Sequence, residues 1–339
     1  MSTRFLSVAA MALAAGLALA PQRAHAWADT GHRLVTRLGV ETLPAEVPAF
    51  LRTPEAVSQI AEIGREPDRS KGAGQPHDGN LDPAHFLDLD DERRVMGGPP
   101  LSSLPRTRAD YEKALHAAGT DSWKAGYLPY SIMEGWQQLV KDFGYWRVAR
   151  VGEALAATPE DRAWFGADRR LRESLILRDL GVWSHYVADA AQPLHVTIHY
   201  NGWGDGPNPF GMTREKIHAP FEGAFVRDTM TAATVRAAMP PPAADCGLIQ
   251  ACTTDYLADS YQYVLPLYRM WGQGDFQARH PDAAAFVAQR LGMGAAMLRD
   301  LTVKAWRESA NASVGYPPIS VRSVEEGRSP PIGNIRGLD

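Results

Sequence analysis

Ser184-His185-Tyr186-Val187-Ala188-Asp189-Ala190-Ala191-Gln192-Pro193-Leu194-His195 puts two histidines, an aspartate and a proline into one short stretch. His185 and Asp189 are four residues apart, so on a helix they sit about 40° apart on one face and roughly 6 Å apart along the axis. Pro193 lacks an N–H and turns Gln192 away from helical angles, so the helix is expected to stop near Gln192. His195 is then aimed by a turn and not by the helix. Two imidazoles and a carboxylate presented this way suit a metal ion. The plainer alternative is a buried His–Asp hydrogen bond with a surface histidine nearby.

The helix feeding this stretch reads back to about Asp168. Leu171, Leu175, Val182, His185 and Asp189 fall within about 80° of one another, and Ile176, Leu180, Trp183 and Val187 form a second apolar sector roughly opposite. A helix apolar on two faces is a central, buried one. An unpaired carboxylate at Asp189 would be costly there, so something positive must meet it, either Arg178 on the same stripe or a metal. The remaining periodicity is also helical. Expected helices run from Asp29 or Thr30 to Glu41, from Pro54 to Ile63, from Thr107 to Ala118 and from Tyr130 to Leu155. Others cover His218–Met230, Thr254–Met270 and Asp282–Trp306. Alternation over five or more residues is rare, so the fold class is all-α, a single-domain multi-helix globule.

Residues 1–26 read as a signal peptide, with Arg4 as the basic start, Phe5–Ala20 as an uncharged apolar run and Ala24-His25-Ala26 as an A-x-A site. Cleavage between Ala26 and Trp27 would give a secreted or periplasmic chain. The domain is expected over 27–326, and 327–339 reads as a disordered tail. Later apolar runs are too short to span a bilayer. The formal charge of −4 falls to −6 once Arg4 and Arg23 are removed. That argues against broad binding to duplex DNA, though not against an enzyme that meets phosphate with metal ions. The two cysteines, Cys246 and Cys252, are expected to form a local disulfide in an oxidising compartment; as metal ligands their Cys-x5-Cys spacing is unusual for zinc.

Further ligand types lie elsewhere. His218 and Glu222 repeat the i,i+4 pairing, and with His195 they make three ligands, the number that leaves a zinc one open position. Asp68 lies just past a helix end and His85 in a short irregular segment. His32 follows the expected new N-terminus at Trp27, whose α-amino group would have a pKa of about 7.7–8 and can ligate a metal. His77 and His199 read as surface or rim residues, His116 and His280 as solvated ones, and Asp88–Glu92 as a solvated turn, with Asp88 a candidate for base or ligand contact. Trp203 reads equally as a base-stacking residue or as packing over a helix.

The ordered set Trp27-x4-His32, Asp68, His85-Phe86, His185-x3-Asp189-x2-Gln192-Pro193-Leu194-His195 and His218-x3-Glu222 resembles the superfamily of zinc-dependent phospholipases C and single-strand-specific nucleases of the P-one/S-one type. The resemblance covers Trp27 to about Val226 and implies an all-α fold with three zinc ions. One zinc would be ligated by Asp68, His85, His185 and Asp189. A second would take the amino group and carbonyl of Trp27 with His32 and Asp189, so that Asp189 bridges two cations. The third would take His195, His218 and Glu222. The implied reaction is hydrolysis of a phosphate ester by zinc-activated water, with Asp68 also placed to act as a general base.

For the substrate, the Trp27-x4-His32 spacing matches the nuclease branch. Lys71 stands where those nucleases carry a phosphate-contacting arginine, and Arg69 would repel choline. Both are substrate-binding candidates. Glu222, where the nucleases usually have Asp, looks more like the phospholipase. The expectation is therefore a nuclease acting on single-stranded DNA and RNA, with a phospholipase C as the alternative and a non-catalytic zinc-binding protein as a distant third.

Overall fold

The computed structural model of the chain describes residues 27–337 apart from residue 205. The expected signal peptide lies outside the described residues. Eight helices of ten or more residues dominate: α1 Ala28–Glu41, α2 Pro54–Ile63, α3 Arg108–Ala117, α4 Leu128–Leu155, α5 Pro159–Asp189, α6 Ile249–Tyr261, α7 Val264–Gln273 and α8 Pro281–Ser309. The described strands are two residues long, Ser313–Val314 paired antiparallel with Ile319–Ser320. The all-α reading therefore holds. Among the described residues no helix is long and apolar enough to cross a membrane.

Local chemistry fixes the helix ends. Thr53 accepts a hydrogen bond from Ala56 N and precedes Pro54 at the first helical position of α2. Thr107 does the same for α3 through Asp110 N. Helix α5 begins at Pro159, nine residues before the expected Asp168, with Thr158 accepting from Asp161 N. The Thr158-Pro159-Glu160-Asp161 run is a complete start signal that outweighs the later Asp168. The expected Thr254–Met270 helix is two, because Gln262 and Tyr263 turn the chain between α6 and α7. The His218–Met230 segment is helical but winds as a π-turn over Pro220–Phe225 before an α-turn, Val226–Thr229.

Helices α4 and α5 form an antiparallel hairpin, and α1 and α8 pack beside it. Ile176, Leu180, Trp183 and Val187 of α5 are all buried in one core with Leu139, Phe143 and Leu298. The other α5 stripe is buried only towards its C-terminal end: Leu171 is exposed, and His185 and Asp189 are fully buried. A second core surrounds Trp27, Leu38, Phe221 and Leu291. Residues 327–337, expected as a loose tail, carry a helical turn at Ile332–Ile335. Asn334 O accepts from Tyr316 N, and Arg336 pairs with Glu160 and Asp161 at the start of α5.

The join of α1, α2 and α5 positions the site. Thr36 on α1 and Ser184 on α5 share a 2.7 Å hydrogen bond, and Gly64, which ends α2, lies against both hydroxyls. Gly181 on α5 lets the end of α2 approach: a Cβ there would meet the Ile63 side chain at 2.6 Å and Ile60 O at 3.1 Å. That approach carries Gly64 O to within 2.8 Å of His185 Nδ1. Gly181→Ala should therefore destabilise the fold by about 1–3 kcal/mol through overpacking and weaken metal uptake at His185. Denaturant unfolding with a parallel metal titration checks this; unchanged stability would mean that the contact is not as close as described.

Candidate metal centre

Among the described residues three groups of side chains converge, each with ligand atoms within 4.8 Å of one another: His32, His185 and Asp189; Asp68, His85 and His185; and His195, His218 and Glu222. The first two share His185 and form one double cluster. All of these residues are buried. They come from α1, a short helical turn at Glu66–Arg69, a 3-10 turn at Asp82–His85, the end of α5, the turn Pro193–His195 and the segment beginning at His218.

In the double cluster, Asp189 lies at the centre. Its carboxylate is 3.0 Å from His85 Nδ1, 3.5 Å from His185 Nε2 and 3.4 Å from His32 Nε2. Asp68 is 3.6 Å from His185 Nε2, 3.7 Å from His32 Nε2 and 4.0 Å from His85 Nδ1. The His32 and His185 rings stack at 3.7 Å. In the second cluster, His218 Nε2 lies 2.8 Å from Glu222 Oε2 and 3.1 Å from His195 Nε2. Donor atoms on a tetrahedral zinc, each at about 2.0–2.1 Å from the metal, stand about 3.3 Å apart, and these separations scatter around that value.

Protonation supports the same reading. His185 Nδ1 donates to Gly64 O, and His195 Nδ1 donates to His85 O at 2.6 Å. Each bond fixes the tautomer and leaves an Nε2 lone pair aimed into its cluster. Burial pushes the His85 and His32 imidazoles well below their ordinary range and His185 down to about 4, so these rings are neutral. Burial also drives the Asp189 carboxyl far above the carboxylate range, with Asp68 adding to the effect. Burial alone would raise Glu222 as well, but the His218 and His195 imidazoles hold it below its ordinary value. Among the described residues, His32 Nε2, Asp189 Oδ1 and Glu222 Oε1 have no hydrogen-bond partner. A divalent cation seated among these groups would satisfy the unpartnered atoms together. The residues present fit metal ions at all three groups.

The turn after α5 separates the clusters. The helix ends at Asp189, slightly before the expected Gln192, and Ala190–Ala191 turn out of it. Gln192 adopts extended angles, and its side-chain oxygen accepts from Leu194 N at 2.6 Å. Its amide nitrogen donates to Glu222 Oε2 at 3.1 Å. This role for the Gln192 side chain is one that sequence reasoning missed; its place before Pro193 is the signal that could have found it. The segment after His85 is clasped to this turn, since Leu87 N donates to His195 O at 2.9 Å.

Lys71 joins the site: its Nζ is 2.6 Å from Asp68 Oδ1. Arg69 does not. It is exposed and pairs with Glu66, because residues one apart on a helical turn point about 100° away from each other, whereas Asp68 and Lys71, three apart, share a side. Arg178 also fails to reach Asp189; it is exposed and pairs with Asp179. Trp27 is fully buried, its indole N–H donates to Ala188 O at 2.9 Å, and its carbonyl accepts from Gly31 N at 3.0 Å. That indole bond anchors Trp27 beside the residue preceding Asp189.

Several other expectations are corrected. His199 is buried, stacked on Trp203 at 3.7 Å and bonded to Asp91 at 3.0 Å, so it is not a surface residue. Of the two readings of Trp203, packing is the one observed: it is buried against Tyr268. Asp88 is buried, and burial raises its carboxyl well above the usual range, so only Asp90, Asp91 and Glu92 of that run form the surface turn. His77 is half-buried beside Asp78, and His116 is exposed beside Glu112. The side chain of His280 accepts from Asp282 N at the start of α8. The expected Cys246–Cys252 disulfide is present.

No protein-family model matches the chain, and no curated protein matches it.

Asp189→Asn should lose two bound metals together, because Asp189 faces both halves of the double cluster, while the third metal stays. Elemental analysis of the purified variant against wild type checks this; loss of one metal would make Asp189 an ordinary terminal ligand.

Proposed function

We propose that the protein is an exported zinc-dependent phosphodiesterase, and that it is a nuclease for single-stranded DNA and RNA. Asp68, His85, His185 and Asp189 would hold one zinc. His32, Asp189 and the amino group and carbonyl of Trp27 would hold a second, and His195, His218 and Glu222 a third. When bound, the metals supply Lewis acidity, which makes water a nucleophile at neutral pH and neutralises charge on a phosphate. The protein's own groups supply the rest. Asp68, 2.6 Å from the Lys71 ammonium, would accept a proton at the double cluster. Gly64 O, His85 O and Gln192 orient the ligand imidazoles and Glu222. A disulfide within the chain supports an oxidising compartment.

The observation that carries the phosphoester reading is Lys71. A largely buried ammonium 2.6 Å from Asp68, at the edge of the double cluster, suits an anionic phosphate. Arg69, the cation expected to repel choline, pairs with Glu66 away from the site, so it lends this reading no support. One feature favours a phospholipase C as the second reading: the third group ends in Glu222, the residue type that branch uses.

Purified protein should hydrolyse single-stranded DNA and RNA, lose that activity on treatment with a chelator, and leave phosphatidylcholine intact. Cleavage of phosphatidylcholine with neither nucleic acid hydrolysed would replace the nuclease by the phospholipase, and no hydrolysis of any of the three would remove the phosphoesterase reading.

A further inference from the structure

We propose that the cleft between α1 and α2 is a second, non-hydrolytic anion site that carries the phosphodiester backbone of a single strand away from the cutting centre. The proposal rests on the nuclease reading above and names how that enzyme would engage long substrates.

The cleft is a cavity of about 700 Å³. Three guanidinium groups line it, from Arg33 and Arg37 on α1 and from Arg52 on the turn Ala49–Arg52. Its two carboxylates are Glu41 and Glu62, and each is already shared. Glu62 pairs with Arg33 at 2.9 Å and also with Arg65, while Glu41 pairs with Arg37 at 2.6 Å and also with Arg236. Arg52 has no hydrogen bond or ion pair to a described residue through its guanidinium. The lining therefore carries one more guanidinium than carboxylates, in a protein whose overall formal charge is −4. This is a local feature and not a reflection of general basicity.

The lining suits phosphate diesters in two ways. Arginine presents a planar fork of N–H donors that matches phosphate oxygens, and the hydroxyls of Thr30 and Ser58 add neutral donors on the two facing helices. The cleft and the candidate metal centre are built on the same two helices. Glu62, on its wall, stands two residues before Gly64, whose carbonyl accepts from His185 Nδ1. Arg33 follows His32 directly on α1. In the proposed path, a strand whose scissile phosphate lies at the double cluster runs over the end of α2 into the cleft.

The test compares hydrolysis of a long thymidylate strand with that of the thymidine dinucleotide, in wild type and in the Arg37→Glu/Arg52→Glu double variant. Both substituted side chains are exposed, and Arg52→Ala alone repeats the comparison with the smallest perturbation. The double variant should raise KM for the long strand by about tenfold or more at low salt and leave both constants for the dinucleotide as in wild type. The slope of log KM against log salt should fall by about 0.7 for each phosphate that the variant no longer neutralises. An unchanged long-strand KM, or equal losses on both substrates, would overturn the proposal. If wild type cuts neither nucleic acid, the nuclease reading has failed. The cleft is then judged by anisotropy of a labelled thymidylate strand: weaker binding by the double variant supports it, and equal binding overturns it. Equal competition by polyglutamate would assign the cleft to acidic polypeptides and overturn it too.

Discussion

The carboxylate of Asp189 is the constraint on which the rest of the site depends. It is fully buried at the end of a 31-residue helix, with three imidazoles within 3.5 Å. In a metal-free interior its charge is opposed by burial and by Asp68, and the rings around it are kept neutral by the same burial. A carboxyl in that setting takes either a proton or a cation, and a cation also satisfies the His32 Nε2 and Asp189 Oδ1 atoms that lack hydrogen-bond partners among the described residues. The unusual cost of that residue is thus the physical argument for metal, independent of any resemblance.

Given that requirement, much of the local architecture has a purpose. Gly181 and Gly64 let α2 close on α5, so that a backbone carbonyl fixes the His185 tautomer. The break at Gln192-Pro193 turns His195 away from Asp189 and towards His218 and Glu222. One short segment thereby supplies ligands to two separate clusters. The His85 segment ties them together, giving its ring to one and its carbonyl to the ligand imidazole of the other. Because these ligands are drawn from segments far apart in the chain, metal binding and folding are expected to be coupled.

Most of the site is legible in the sequence because its chemistry is encoded locally. The i,i+4 spacing of His185 with Asp189 and of His218 with Glu222 follows from helical geometry, and Pro193 announces the turn by its missing N–H. The Thr53-Pro54 and Thr107 start signals are equally readable. What is not legible depends on tertiary placement. Nothing in the sequence says that Arg69 points to Glu66 while Lys71 points to Asp68 until the helical turn at Glu66–Arg69 is known. The burial of His199 and Trp203 depends on Tyr268, which is far along the chain. The backbone partners of His185 and His195 carry no side-chain signature at all. The early start of α5 is different, since its Thr-Pro-Glu-Asp signal is present in the sequence and competes with a later acidic residue, Asp168.

Anomalous diffraction at the zinc edge, from crystals of the purified protein, tests for a metal pair at Asp189 without reference to activity. Three peaks per chain are expected: two close together, both beside Asp189, with one among His85, His185 and Asp68 and the other beside His32. The third should lie among His195, His218 and Glu222. A single peak, or none beside Asp189, would contradict the metal reading, because the buried carboxylate would then be stabilised by something other than a pair of cations.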